Sequence, residues 1–164
     1  AFADGIAKLT SHGFIEPLLR AIEQGRPVLG ICLGLHFLFS ESEEFGLHKG
    51  LDLLAGRVRR FADDMPDPAT PGTRLKVPHM GWNRVHMVRP APVLAGLPEE
   101  PYFYFVHSYY VEPADPSVTA GVTEYGHRFT SVIWRENLFA TQFHPEKSQA
   151  AGLTLLRNFA SLAR

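Results

Sequence analysis

Apolar positions recur along this chain with two periods, and the places where the period changes mark its elements. Ile15, Leu18, Leu19 and Ile22 fall at i, i+3, i+4 and i+7, the spacing of one helix face, with Pro17 near the start and Gly25 just past the end. Residues 4 to 12 read as a shorter helix stopped by Gly13. Pro27 to Ile31 is an apolar run of strand length, and a second helical spacing carries Leu35, Leu38 and Phe39. Helix, strand and helix in that order predict an α/β fold with a parallel central sheet. In such sheets the loops at the carboxyl ends of the strands carry the chemistry.

Beyond Gly50 the period falls to two. Gly56 to Phe61 reads as a strand on a smaller sheet, with Arg57, Arg59 and Arg60 on a solvated face. Ala62 to Arg74 places Pro66, Pro68 and Pro71 among aspartates and reads as a surface loop. Val77 to Met87, Tyr102 to Val111, Val118 to Glu124 and Phe129 to Phe143 are strand-like, the last a hairpin turning at Arg135-Glu136-Asn137. Ser148 is placed to N-cap a final helix, whose Leu153, Leu156, Phe159 and Ala160 form a buried stripe.

Composition narrows the function class more than the fold. At 164 residues and 45% hydrophobic, the chain has one domain's worth of core. A formal net charge of -1 gives no electrostatic case for nucleic acid or an anionic membrane. No apolar run is long enough to span a bilayer, and no signal peptide is visible. A single cysteine forms no internal disulfide and fits a reducing cytoplasm. The 8 histidines are scattered without a metal-ligand spacing, so no metal site is expected.

That one cysteine is the most reactive candidate. Cys32 lies in Gly30-Ile31-Cys32-Leu33-Gly34, between the strand pattern and the helix pattern. A G-x-C-x-G turn of this kind is a nucleophile elbow: the glycines permit close backbone approach, and the turn holds the side chain up in a strained conformation. The Leu33 N–H and the start of the following helix then point at the sulfur, which predicts a lowered thiol pKa. Near the C-terminus, His144-Pro145-Glu146 supplies a base and an acid to orient it from one rigid segment. Taken alone, these residues also fit a cysteine peptidase or a non-catalytic binding subunit. Glu44 alone fits a solvated acidic helix end, Trp82 and Tyr104 ordinary core aromatics, and His107 a packing role.

The elbow together with His144-Pro145-Glu146 resembles the class I, triad-type glutamine amidotransferases. Lys76-Val77-Pro78-His79-Met80-Gly81-Trp82-Asn83, Tyr102 to Tyr110, and His144-Pro145-Glu146-Lys147-Ser148 look like the glutaminase subunits of imidazole glycerol phosphate synthases. The likeness runs over the whole chain except the Pro-rich loop. It implies a flavodoxin-like three-layer α/β fold, a mainly parallel central sheet with a smaller antiparallel one, and a single amidotransferase domain over residues 1–164. The implied reaction is hydrolysis of L-glutamine to glutamate and ammonia, without a cofactor. The ammonia would pass to a (β/α)8-barrel cyclase subunit, bound as a heterodimer, which forms imidazole glycerol phosphate in histidine biosynthesis. Subunits serving other amidotransferases are the nearest alternative.

By the same resemblance Cys32 is the nucleophile, His144 the general acid/base and Glu146 its orienter, with Leu33 N–H in the oxyanion hole. Glu44 matches the position that grips the glutamine amino group, and His107, Ser108 and Tyr109 the segment that holds its carboxylate. Trp82, Tyr104 and Lys147 match positions facing the partner. His36 is a substrate-site position that departs from the pattern, which has glutamine there; an imidazole lacks the amide's paired donor and acceptor. The resemblance also implies about fifty residues ahead of Ala1, with the first strands and a Pro-Gly-x-Gly loop carrying the second oxyanion donor. A polypeptide beginning at Ala1 is therefore expected to be N-terminally truncated, poorly stable and nearly inactive.

Overall fold

The computed structural model describes residues 1–163. Helices α1 (Phe2–Ser11) and α2 (Ile15–Glu23) lead into strand β1 (Val28–Ile31), as the helical spacing predicts. Helix α3 (Leu33–Phe37) is shorter than expected. Phe39 leaves it to open strand β2 (Phe39–Ser42), which pairs with the short β3 (His48–Lys49) and with β4 (Leu54–Arg60). The helical spacing misleads here because Leu38 and Phe39 are apolar for a different reason: both are buried against Leu54, Val58 and Val111 across the sheet.

Strands β5 (His79–Arg84) and β7 (Tyr102–His107) form a separate two-stranded antiparallel sheet, the expected smaller one. The arginine-bearing β4 is not part of it; it joins the large sheet beside β8 (Tyr109–Pro113). The run from Tyr102 to Val111 thus splits at Ser108, with one half in each sheet. Strand β6 (His86–Met87) pairs with β9 (Thr119–Tyr125), and β9 with β10 (His127–Arg135). The hairpin from β10 to β11 (Leu138–Thr141) turns where expected, through Glu136 at φ 54°.

The large sheet runs β1-β11-β10-β8-β4-β2-β3, with β9 and β6 branching from β10. It is mixed: β1 pairs with β11 and β2 with β4 in parallel, and the other pairings are antiparallel. The parallel pair β1–β11 matters most for the chemistry.

Because β11 is buried on both sides, its successive residues enter different cores. Leu138 and Ala140 join Leu35, Leu38 and Ile133 on the α3 face. Phe139 and Phe143 join Phe103, Phe105 and Leu155 on the other face, beneath the small sheet and helix α4 (Gln149–Leu162). This gives α4 and the small sheet, the large sheet, and α1 to α3 as three layers. In α4 Gly152 and Leu155 are buried and the expected Leu156 and Phe159 pack against the same core, while Leu153 and Ala160 are exposed, so the stripe is rotated from the expected line. Among the described residues, no helix is long and apolar enough to cross a membrane.

Candidate active site

Strands β1 and β11 run side by side in parallel register, Ile31 opposite Thr141, and both end at the same edge of the sheet. Cys32 follows β1 immediately; His144 follows β11 by three residues. The Cys32 N–H donates to the Thr141 carbonyl at 2.8 Å, so the register continues one step past the strand.

At that step the backbone turns sharply. Cys32 has φ 52° and ψ -104°, a conformation that a side chain rarely adopts and that costs about 1–3 kcal/mol. Gly30 makes room for it: a Cβ there would lie 2.9 Å from the Gly34 carbonyl group. The elbow read from the sequence is therefore present.

Its electrostatics differ from expectation. Burial pushes the Cys32 thiol up; the Leu33 N–H and the Gln142 amide pull it down, the Glu146 carboxylate pushes it up again, and Lys147 pulls it down. The predicted lowered pKa is thus corrected: desolvation of the anion outweighs a helix of 5 residues, too short to contribute a large dipole. The resting group is a thiol, and a thiolate has to be made by proton transfer.

His144 has the partner such a base requires. Its Nδ1 lies 2.6 Å from Glu146 Oε1, so the carboxylate accepts Nδ1–H and Nε2 carries the lone pair. The turn Pro145–Lys147 that holds this pair is pinned from three sides. Tyr104 O accepts the His144 N–H at 3.0 Å, Ser148 Oγ donates to His144 O at 2.6 Å, and the Tyr104 N–H donates to Ser148 Oγ at 2.9 Å. Ser148 does not cap α4 with its side chain; it stitches the turn to β7 instead. Gly152 closes the fourth side, because any Cβ there would run into the Pro145 carbonyl.

A cavity of about 510 Å³ opens in front of the elbow. Its walls include Cys32, Leu33, His36, Glu44, His107, Ser108 and Tyr109, which brings together every residue expected to bind substrate or oxyanion. Phe45 and Arg60 line it too, and nothing in the local pattern singles either out. His144 and Glu146 are not among its lining residues. The Glu146 carboxylate nonetheless contributes to raising the thiol, and His144 to lowering His107. Glu44 Oε2 accepts the Phe2 N–H at 2.6 Å. Trp82 and Tyr104 face each other on the outer side of the small sheet, ring centres 6.1 Å apart, with Trp82 48% exposed and Lys147 exposed nearby in sequence to His144.

His107 is held in a way that removes it from proton transfer. Its Nδ1 lies 2.7 Å from the Tyr109 carbonyl, which only accepts, so Nε2 carries the lone pair. His79 Nδ1–H fills that lone pair at 2.9 Å, and His79 Nε2 in turn accepts from Asn83 Nδ2 at 3.2 Å. Both rings are buried among Phe61, Phe105, Tyr125 and Phe129. Burial lowers His79 to about 4 and holds His107 well below the ordinary value. The pair fixes the cavity wall at Ser108 and Tyr109.

A depressed histidine stabilises the fold while it is neutral in both states. That contribution is complete above the unfolded value of 6.5 and is lost as the pH falls toward 4, where the unfolded chain gains a proton that the folded chain refuses. Denaturant unfolding is expected to register a loss of about 3 kcal/mol from His79 across that window. His79→Asn keeps a donor for His107 and cannot ionise; it should lose less over the same range. An equal loss in both proteins would place the pH sensitivity elsewhere.

Gln142 is the functional candidate that the sequence reading missed. It is fully buried, and its Nε2 donates to Cys32 Sγ at 3.7 Å. The available signal was parity: Gln142 lies two residues before His144 at the end of a strand, hence on the same side of it. Among the described residues, no group of three or more His, Cys, Asp or Glu side chains is arranged to hold a metal ion.

Comparison with known proteins agrees with this geometry. The family model "Glutamine amidotransferase class-I" matches residues 3–162. The imidazole glycerol phosphate synthase subunit HisH of Syntrophotalea carbinolica is 56% identical over 162 residues, 99% of this chain and 77% of that protein. The same subunit of Geobacter sulfurreducens is 49% identical over 162 residues, 99% of this chain and 76% of that one. Among solved structures, a putative GMP synthase protein from Thermoplasma acidophilum superposes with a TM-score of 0.61 at 21% identity, over 99% of this chain and 67% of its own. A crystal structure titled glutamine amidotransferase gives 0.63 at 18% identity, over 94% and 70%. At those identities the two structures speak for the fold.

Proposed function

The chain belongs to the class I glutamine amidotransferase family, and from that premise we propose how its residues carry out the reaction. It is a glutaminase of imidazole glycerol phosphate synthase, in histidine biosynthesis, releasing ammonia from L-glutamine for a cyclase subunit. The observation that carries the reading is the elbow. A thiol at positive φ ends β1, and a histidine–carboxylate pair ends the parallel neighbour β11.

Glutamine enters the cavity with its ammonium toward Glu44 and its carboxylate toward the backbone of His107, Ser108 and Tyr109. His144 Nε2 takes the Cys32 proton, and the sulfur attacks the side-chain amide carbon. The developing oxyanion receives the Leu33 N–H, which already points at the sulfur. The imidazolium, held by Glu146, returns its proton to the amide nitrogen, and ammonia leaves behind a γ-glutamyl thioester. Water attacks that thioester with His144 again as base, and glutamate departs as the thiol is restored. Because the thiol is pushed up by burial, the histidine is required at the first step as well as the second.

The partner, a (β/α)8-barrel cyclase in a heterodimer, docks on the outer face of the small sheet at Trp82 and Tyr104, with Lys147 beside them. An exposed tryptophan packed edge-to-face with a tyrosine is a common interface anchor. The Tyr104 backbone also holds His144, so docking and catalysis share one strand. The reading is tested by following glutamate release from L-glutamine by the complete protein with its barrel subunit. Release of glutamate is expected; turnover of a peptide substrate with none of glutamine would sink it.

A further inference from the structure

Behind the nucleophile lies a buried hydrogen-bonded chain that the reaction above does not use. His36 Nε2 lies 2.8 Å from Gln142 Oε1, and Gln142 Nε2 lies 3.7 Å from Cys32 Sγ. His36 is 6% exposed and Gln142 is fully buried. The Gln142 backbone is itself fixed, its N–H donating to Ser131 O at 2.9 Å. The two side chains come from α3 and from the end of β11, 106 residues apart in sequence, and meet at the sulfur.

One arrangement of these atoms suits an ionised sulfur. A carbonyl oxygen only accepts, so the His36 nitrogen facing Oε1 must carry the hydrogen. That hydrogen selects between the two orientations of the Gln142 amide, which are otherwise nearly equal in shape. With Oε1 turned to the ring, the NH₂ is turned to the sulfur. The opposite orientation, with the other His36 tautomer, accepts from a thiol S–H but sets a carbonyl oxygen against the thiolate, so ionisation of the sulfur favours the first.

We propose that Gln142 is a catalytic residue, donating a hydrogen bond to the Cys32 sulfur as it becomes a thiolate, and that His36 is the positioning residue that holds the amide in that orientation. This rests on Cys32 being the nucleophile. It assigns His36 a role other than contact with glutamine. The amide opposes the burial that disfavours the anion. The titratable groups facing this sulfur are His144, the base of the proposed reaction, Glu146 and Lys147 on the turn after β11, and His36 on α3, with Glu44, Arg60, His107 and Tyr109 in the cavity wall.

The test is the pH dependence of Cys32 alkylation by iodoacetamide, read on the Cys32 peptide by mass spectrometry in the complete protein. Gln142→Met keeps the volume and removes the donor; His36→Leu removes the hydrogen that orients it. Both are expected to raise the midpoint by about one pH unit, slowing alkylation about tenfold below it. His36→Gln, whose amide nitrogen takes the place of Nε2, should return the midpoint to that of the unaltered protein. An unmoved midpoint in a folded Gln142→Met protein overturns the proposal. A shift in Gln142→Met without one in His36→Leu overturns the part given to His36. A purely substrate-binding His36 would change KM for glutamine and leave alkylation unaltered. If Gln142→Met does not fold, the side-chain amide resonances of Gln142 in the unaltered protein decide. They should titrate with the thiol, and flat resonances would count against the proposal. Alkylation needs no glutamine, so failure of the glutaminase reading and failure of this chain of bonds are seen separately.

Discussion

Cys32→Ser is expected to abolish glutamine-dependent synthesis by the assembled enzyme, by about 10⁴-fold or more, while synthesis from added ammonia continues. The scale follows from what happens when the nucleophile of a triad is removed and only binding and the oxyanion donors remain. The sparing of ammonia follows from the proposed division of labour, in which the sulfur serves only to detach ammonia from glutamine and ring closure belongs to the partner. The variant should keep its fold. Serine is smaller and polar, and Gln142 Nε2 and the Leu33 N–H still find an acceptor in its hydroxyl. Parallel assays with glutamine and with an ammonium salt decide the matter. Equal loss in both would mean that Cys32 supports the complex and does not perform the hydrolysis.

His144→Ala comes next in size, with an expected loss of about 10²- to 10⁴-fold in kcat for glutamine. The thiol is the resting form here, so without a base neither the attack nor the release of ammonia has its proton transfer. Glu146→Gln should be milder, since an amide oxygen at the position of Oε1 still accepts the Nδ1–H and keeps Nε2 free. The ordering of the two variants is the informative part. A harmless His144→Ala would point to another base. His107 is a poor one, because both of its ring nitrogens are occupied, one by Tyr109 O and one by His79.

The reactive elements were legible because each is local. A glycine-flanked cysteine between an apolar run and a helical spacing specifies a turn within five residues, and that turn formed at Cys32 with positive φ. His144 and Glu146 share one turn and therefore meet whatever the rest of the chain does. Helices α1 and α2, strand β1 and the β10–β11 hairpin were also visible, since period and punctuation suffice for elements of that kind.

What failed depended on neighbours distant in the sequence. Phe39 reads as helix from its own spacing, yet the β4 edge takes it into a strand. The run from Tyr102 to Val111 has uniform strand character; only the presence of two different partners, β5 and β4, divides it at Ser108. The thiol pKa moved the other way because desolvation is set by everything packed around the sulfur, and a motif of five residues cannot report that. Gln142 and His36 are 106 residues apart, and neither has a meaning at Cys32 until β1 and β11 lie side by side. The sequence alone therefore determined which side chains can react, since reactivity resides in residue type and local turn. Only the tertiary structure decided their protonation, orientation and supporting bonds, because solvation and hydrogen bonding depend on which distant segments are brought within a few ångströms.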